Sequence, residues 1–386
     1  MNNIIDRIEK HVWDSAQSEN RIGLHDGLSG IAIFYKYLYS LNLERKYQTK
    51  LISTIERINS LMAENAFNAS LCTGIGGYGY LLTTLQEDSI DIGDDYFDSL
   101  DNLLSKELIF HSEKNDYDFL HGALGIAMYF IERYNSTKKE EVESILVQFT
   151  KILLSRIDKN IENIFIVNEQ QNVRSLYFGI AHGISGYLNF LVYLKKSLKR
   201  KIINVDTYLD KITAFMYRYR QKDFSLGSIH MYPNFIDIDN GNIKDARLGW
   251  CQGDLCIGNS IYNTGLFLKN KTLLNEGIHL INNTKQISFI DSGVKDFAIC
   301  HGSSGIILQY YLRKTKSEDY SFEIKHWYNI LTNQTSDFQK FESFCDNDNK
   351  YINEINLLNG SAGLGLVLLT MDNKIDTDWT RCINLH

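Results

Sequence analysis

Seven short segments of this 386-residue chain share one glycine spacing, and the two residues before each of them carry an unusual share of reactive side chains. The segments are GLSG at 27–30, GIGG at 74–77, GALG at 122–125, GISG at 183–186, GDLC at 253–256, GSSG at 302–305 and GSAG at 360–363. Before them stand His25-Asp26, Cys72-Thr73, Leu120-His121, Ala181-His182, Cys251-Gln252, Cys300-His301 and Leu358-Asn359. Seven of these 14 places hold histidine or cysteine, in a chain with ten histidines and six cysteines. Chance would put about 0.6 of them there. Thiolate and imidazole together favour zinc over magnesium or calcium, which take oxygen ligands. Cys251, Cys300 and His301, from consecutive segments, would give three ligands and leave a fourth position for substrate, as catalytic zinc does. Cys256 or Cys72 would instead complete a structural site. Cys345 and Cys382 lie outside the segments and read as buried small hydrophobes.

For those residues to meet, the elements that carry them must converge. The segment starts are 47 to 70 residues apart, room for two helices each. Each segment opens an apolar run, such as Ile31 to Tyr35, Ile126 to Phe130 or Ile306 to Tyr311, which predicts helices buried nearly all round. Between them, Leu51, Ile55, Ile58, Leu61 and Met62, or Val142, Ile145, Leu146, Phe149, Ile152 and Leu153, follow helical spacing with a charged opposite face. With Asn3 to Ala16 as the first outer helix, the pattern gives seven outer and seven inner helices. Helix pairs of this kind bury best as a closed ring, so the expected fold is all-α, an α/α toroid, with the residues before each segment gathered at one mouth. A residue without Cβ at the crowded helix starts lets backbones approach. The alternation Phe235 to Asp239, running into Asn240-Gly241, predicts a short β-ribbon near 230–247. Ile161 to Val167 reads as another extended piece. Neither is long enough for an independent domain, so a single domain over 1–386 is expected.

Composition narrows the function. The chain is 44% hydrophobic and 23% charged, the balance of a globular protein with a large core, and a single proline, Pro233, suits a helical fold. A net charge of -7 offers no global attraction to nucleic acid or anionic membranes. The N-terminus lacks the apolar run of a signal peptide, and the apolar stretch Leu357 to Met371 is too short and too interrupted to span a bilayer. We therefore expect no integral membrane segment and a cytoplasmic location, where cysteines stay reduced. The run Lys195 to Lys201 and the acidic stretch Asp88 to Asp101 read as solvated surface.

The seven glycine segments, W-C-Q-G at 250–253 and C-H-G at 300–302 resemble the lanthionine synthetase C-like cyclases, over about residues 20–371. The resemblance implies a zinc site of Cys251, Cys300 and His301. It implies a catalytic histidine at His182, in Ala181-His182-Gly183 to Gly186, with Asp118 and Arg247 at two further matching positions. The activity it implies is zinc-dependent addition of peptide cysteine thiols to dehydroalanine or dehydrobutyrine, closing thioether rings. Its partners would be a dehydrated precursor peptide and a lanthipeptide dehydratase. The chain departs from the family pattern at Cys256, which replaces the last glycine of segment five, and at Gln252. Some members also carry an inserted β domain, for which the intervals here leave little room.

The residues suit that reaction. Zinc deprotonates a thiol that would otherwise titrate near 8.5, and a histidine near 6.5 can take up and return a proton. Asp118 suits orienting a histidine or anchoring a loop, and Arg247 suits stabilising an enolate, holding a carboxylate or a structural ion pair. Trp250 reads as packing, His121 as a neighbour of the catalytic groups, and His25 and Asp26 as satisfied polar groups. A zinc prenyltransferase would need a carboxylate ligand. A toroidal glycosidase would need two carboxylates at the mouth, where the 14 places hold only Asp26. Glutathione addition and a non-catalytic peptide-binding toroid remain as alternatives.

Overall fold

Each inner helix begins one residue after the first glycine of its segment, because that glycine ends the incoming loop and the apolar run begins there. The structure is a computed structural model that describes residues 2–385 apart from 88–91, 169–173, 199–203, 222–228 and 316–317. In chain order the elements are α1 (Asn2–Ala16), α2 (Leu28–Asn42), α3 (Arg45–Glu64), α4 (Ile75–Glu87), α5 (Asp94–Glu113), α6 (Ala123–Thr137) and α7 (Glu140–Lys159). The short α8 (Ile161–Phe165) leads into β1 (Ile166–Asn168) and β2 (Arg174–Tyr177), then α9 (Ile184–Leu198), α10 (Val205–Tyr217), β3 (Phe235–Asp237) and β4 (Ile243–Lys244). The last part comprises α11 (Asp254–Leu268), α12 (Lys271–Thr284), α13 (Ser303–Arg313), α14 (Ser321–Gln334), β5 (Ser343–Cys345), β6 (Lys350–Ile352) and α15 (Ser361–Met371). A 3-10 helix, Asp378–Ile383, follows.

The inner helices close a ring. Contacts run from α2 to α4, α6, α9, α11, α13 and α15, and from α15 back to α2. The chain is thus the expected α/α toroid. α15 buries every residue from Ser361 to Thr370, whereas the outer α3 buries only Tyr47, Leu51, Thr54 and Ile58, one stripe at helical spacing. That difference sorts the helices into two layers, since a helix apolar all round is stable only with neighbours on every side.

The β structure exceeds the expectation. β3 and β4 do form the ribbon predicted near 230–247, with turn Ile238 to Asn242 between them. They also pair through β3 with β2, giving one antiparallel sheet in the order β1-β2-β3-β4. The two long intervals, flanking α9 and α10, therefore build a single small sheet. Ile161 to Val167 is a helical turn before it becomes a strand, because Asn160 caps Glu162 and Asn163 through its side-chain oxygen. The β5–β6 hairpin has no counterpart in the sequence reading.

At the mouth, the loops that precede the inner helices are tied to one another by backbone hydrogen bonds. His25 N donates to Cys72 O, Cys72 N to Leu120 O, Cys251 N to Cys300 O, Cys300 N to Leu358 O, and Leu358 N to His25 O, all at 3.0 to 3.1 Å. Ring closure thus fixes neighbouring loops residue against residue, which is what brings the chemistry together. Of the two charged runs, Lys199 to Lys201 and Asp88 to Asp91 (88–91 with Ser89 and Ile90) lie outside the described residues. Asp94, Asp95 and Asp98 are exposed, while Asp101 departs from the surface reading and pairs with the buried Arg133 at 3.4 Å.

Candidate active site

Cys251 and Cys300 stand on loops five and six, joined by the ladder, close enough for each to shift the other's thiol. Hydrogen bonding from Cys300 holds the Cys251 thiol below its ordinary value against the pull of burial, with His301 and Arg247 adding favourable charge. The same pairing and burial push the Cys300 thiol up, so the two sulfurs titrate as a pair. His301, next in the chain, has a buried Nε2 without a hydrogen-bond partner; the nearest carboxylate oxygen, Asp296 Oδ2, is 3.6 Å away. Among the described residues no group of three His, Cys, Asp or Glu side chains is placed so that it could hold a metal ion as it stands. The donor types nevertheless suit zinc: two cysteines that shift one another and a histidine next to one of them, its Nε2 without a hydrogen bond and with only the Asp296 carboxylate nearby.

The other two cysteines weighed as a fourth ligand are occupied elsewhere. Cys256 is buried, and its thiol donates to Gly253 O at 3.2 Å. Cys72 is buried near Asp26 and Asp118, and burial pushes its thiol up. Cys382 is buried as expected, but Cys345 is only half-buried, on β5, facing the same cavity as His301.

Across the junction between repeats three and four stands a second pair. His182 Nδ1 lies 2.6 Å from Asp118 Oδ2, while Asp118 Oδ1 accepts the backbone N–H groups of Leu120 at 2.9 Å and His121 at 2.7 Å. Burial alone would raise the Asp118 carboxyl, but the charge and hydrogen bond of His182 and the His121 N–H hold it below its usual range. Three hydrogen bonds therefore fix one carboxylate, and it fixes the imidazole. The bonded Nδ1 leaves Nε2 on the side of the ring away from the carboxylate, and the His182 side chain is 40% exposed. His121 stacks on His182 with ring centroids 6.3 Å apart, and Tyr177 meets it from β2 at 5.9 Å.

Arg247 is paired at 2.5 Å with Asp346, in the turn of the β5–β6 hairpin, where Lys295 also approaches at 3.5 Å. The guanidinium lies close enough to Cys251 and Cys300 to feel both sulfurs. Asp346 and Asp296 escaped the sequence reading. The signal available for Asp346 was the turn-rich Asp346-Asn347-Asp348-Asn349 between Phe344 and Tyr351. Trp250 is fully buried and donates from Nε1 to Ile383 O at 2.9 Å, a packing role as expected. His25 is bonded to Cys382 O at 2.7 Å, but its Nδ1 and the Oδ1 of Asp26 lack partners, so neither is fully satisfied.

Among known structures, nisin cyclase matches with a TM-score of 0.78 at 22% identity, over 100% of this chain and 98% of that one, which shows the fold. An α-1,6-mannanase of Salegentibacter sp. HEL1_6 matches with a TM-score of 0.47 at 8% identity, over 95% of this chain and 97% of that one, a likeness too weak to use. No curated relative matches. The family model described as lanthionine synthetase C-like protein matches residues 18–383, wider than the motifs alone marked out, and the chain belongs to that family.

Proposed function

We propose that the protein is a zinc-dependent lanthipeptide cyclase, an enzyme that closes thioether rings on a dehydrated precursor peptide supplied by a dehydratase. The observation that carries the reading is that neighbouring helix-entry loops bear the Cys251–Cys300 pair with His301 and the Asp118–His182 pair. Zinc held by Cys251, Cys300 and His301 would lower the pKa of a substrate thiol and leave its sulfur electron-rich. His182 then does the proton chemistry. The thiol proton passes to its Nε2, the sulfur electron pair forms the C–S bond at Cβ of the dehydroamino acid, and the displaced π pair becomes an enolate. Nε2 returns a proton to Cα, so the net change is addition of S–H across C=C with no oxidant or reductant. Asp118 holds His182 in the tautomer this requires and stabilises its cation. Arg247, steadied by Asp346, contributes positive charge beside the sulfurs and, in this reading, stabilises the enolate. No helix of the described residues is long and apolar enough to cross a membrane.

The test is the zinc content of purified protein and of Cys300→Ala by elemental mass spectrometry, followed by incubation with dehydrated cysteine-containing peptide. About one equivalent in the parent and a loss of at least about tenfold in zinc affinity in the variant are expected, since removing a ligand removes binding energy. Ring closure appears as loss of free thiol without change of mass. A folded parent that takes up no zinc would leave a binding scaffold. Addition of glutathione in place of ring closure would identify the alternative substrate.

A further inference from the structure

The two faces of the four-stranded sheet have different surroundings. On one, Leu176 of β2 is fully buried in the core, and Ile236, opposite it on β3, packs against that core. Side chains alternate between faces along a strand, so Tyr177 and Phe235, the next pair in the register, stand side by side on the other face. Both are half-buried, and among the described residues neither belongs to the core nor packs against it. Their rings meet at 5.0 Å, and Tyr177 in turn meets His182 at 5.9 Å. This face of the sheet therefore extends the surroundings of the candidate catalytic imidazole by two aromatic rings. The row ends there, since the residue opposite Phe235 on β4 is the exposed Lys244. A strip two rings long is the size of one large side chain, too small for a folded partner.

The reaction decides what comes to lie on that strip. Protonation at Cα needs the carbon within about 3 Å of His182 Nε2. In an extended peptide the side chain next but one follows about 7 Å further on. The two rings begin 5.9 Å from the imidazole, so a residue close to the dehydroamino acid is the one within their reach. Half-exposed aromatic carbon gains most by covering apolar surface, and ring edges and faces favour another ring. We propose that Tyr177 and Phe235 determine specificity by receiving an apolar side chain of the precursor peptide, of leucine or phenylalanine size, within two residues of the dehydroamino acid. The inference rests on the cyclase reading, which is what brings Cα to His182. Tyr177 touches the imidazole and so also positions it, whereas Phe235 touches only Tyr177 and isolates the effect on the substrate.

The test sets peptides in competition. Each carries one cysteine and one dehydroalanine, and they differ only in the residues flanking the dehydroalanine: glycine, leucine, phenylalanine or aspartate. Ring closure is followed by mass spectrometry as loss of alkylatable thiol. The parent should close the leucine and phenylalanine peptides with a kcat/KM about tenfold above that of the glycine peptide, the effect of half-burying a large apolar side chain. In Phe235→Ala that ratio should fall to about twofold, and Phe235→Leu should keep most of it. A ring that only supports the sheet or His182 would slow all peptides alike and leave the ratio unchanged, and that result would overturn the proposal. So would a parent that closes glycine and phenylalanine peptides equally well or prefers aspartate, a comparison that stands even where a variant fails to fold. Failure of the cyclase reading shows differently, as no ring closure with any peptide. Fluorescein-labelled peptides with serine in place of dehydroalanine then read the strip alone by anisotropy: a Kd about tenfold lower for phenylalanine than for glycine keeps the subsite, and equal values remove it.

Discussion

Asp118 shows how one side chain can satisfy two readings at once. A carboxylate four residues before a helix-opening glycine suits a loop anchor, and Oδ1 is that, taking the N–H groups of Leu120 and His121. The other oxygen holds His182. Substitution separates the roles. Asp118→Asn keeps an acceptor for the loop and removes the charge that steadies the imidazole, so kcat should fall about 100-fold with KM nearly unchanged, in steady-state cyclisation. Asp118→Ala should also lose the anchor and about 1 to 2 kcal/mol of stability by denaturant titration. The acid limb follows from the sign of the shift. A carboxyl held below its unfolded value of about 3.9 contributes stability that is complete above that pH and is lost as pH falls through the depressed value. The parent's advantage over Asp118→Ala should therefore persist at pH 5 to 8, roughly, and shrink only below about 4, as read by thermal melts across pH.

At the scale of elements, the glycine segments were legible because they mark a steric event rather than a composition. A Cβ at Gly305 or Gly363 would stand 1.9 Å from the carbonyl oxygen six residues upstream, Ile299 O or Leu357 O. The loop has no room to give, since its other side is in the backbone ladder. Gly305→Ala and Gly363→Ala should each destabilise by about 3 kcal/mol or more, measured by urea unfolding. Segment five solves the same problem differently. Cys256 stands where the last glycine would be, and Gly253 adopts φ +92, whereas the equivalent Gly27, Gly122, Gly302 and Gly360 lie between φ -110 and -144. The altered entry directly follows Cys251 and Gln252, so this departure shapes the candidate metal site without Cys256 joining it. What stayed hidden were the strands. Each has two to four residues, and β2 pairs with β3 across the whole of α9 and α10, so local pattern carries almost none of the pairing information. The pairing of Arg247 with Asp346 spans 99 residues and was hidden for the same reason.

A closed ring of helices must fill its own axis, and here the chain's last described residues do so. The segment after α15 returns to the centre as the 3-10 helix Asp378–Ile383, and its last residues make four hydrogen bonds to three repeats. Cys382 O accepts from His25, Ile383 O from Trp250 Nε1, and Asn384 O from Asn189 Nδ2, while Asn384 Nδ2 donates to Gly186 O. Trp250 adjoins Cys251, and Gly186 lies one turn beyond His182, so the plug touches the supports of both halves of the site. Its removal would leave a buried histidine, an indole N–H and an asparagine amide to find new partners inside an apolar channel, at about 1 to 3 kcal/mol each. A chain ended at Thr377 should accordingly melt well below the parent, and Asn384→Ala, which keeps the backbone bonds, should cost about 1 to 2 kcal/mol. Differential scanning calorimetry separates two arrangements. If the plug binds the ring together, the shortened chain melts in one broadened transition and also loses zinc affinity; if it only occupies space, melting stays sharp and zinc uptake equals that of the parent. The contacts on either side of Cys251 and His182 favour the first, because the same few residues position the site and hold the ring closed.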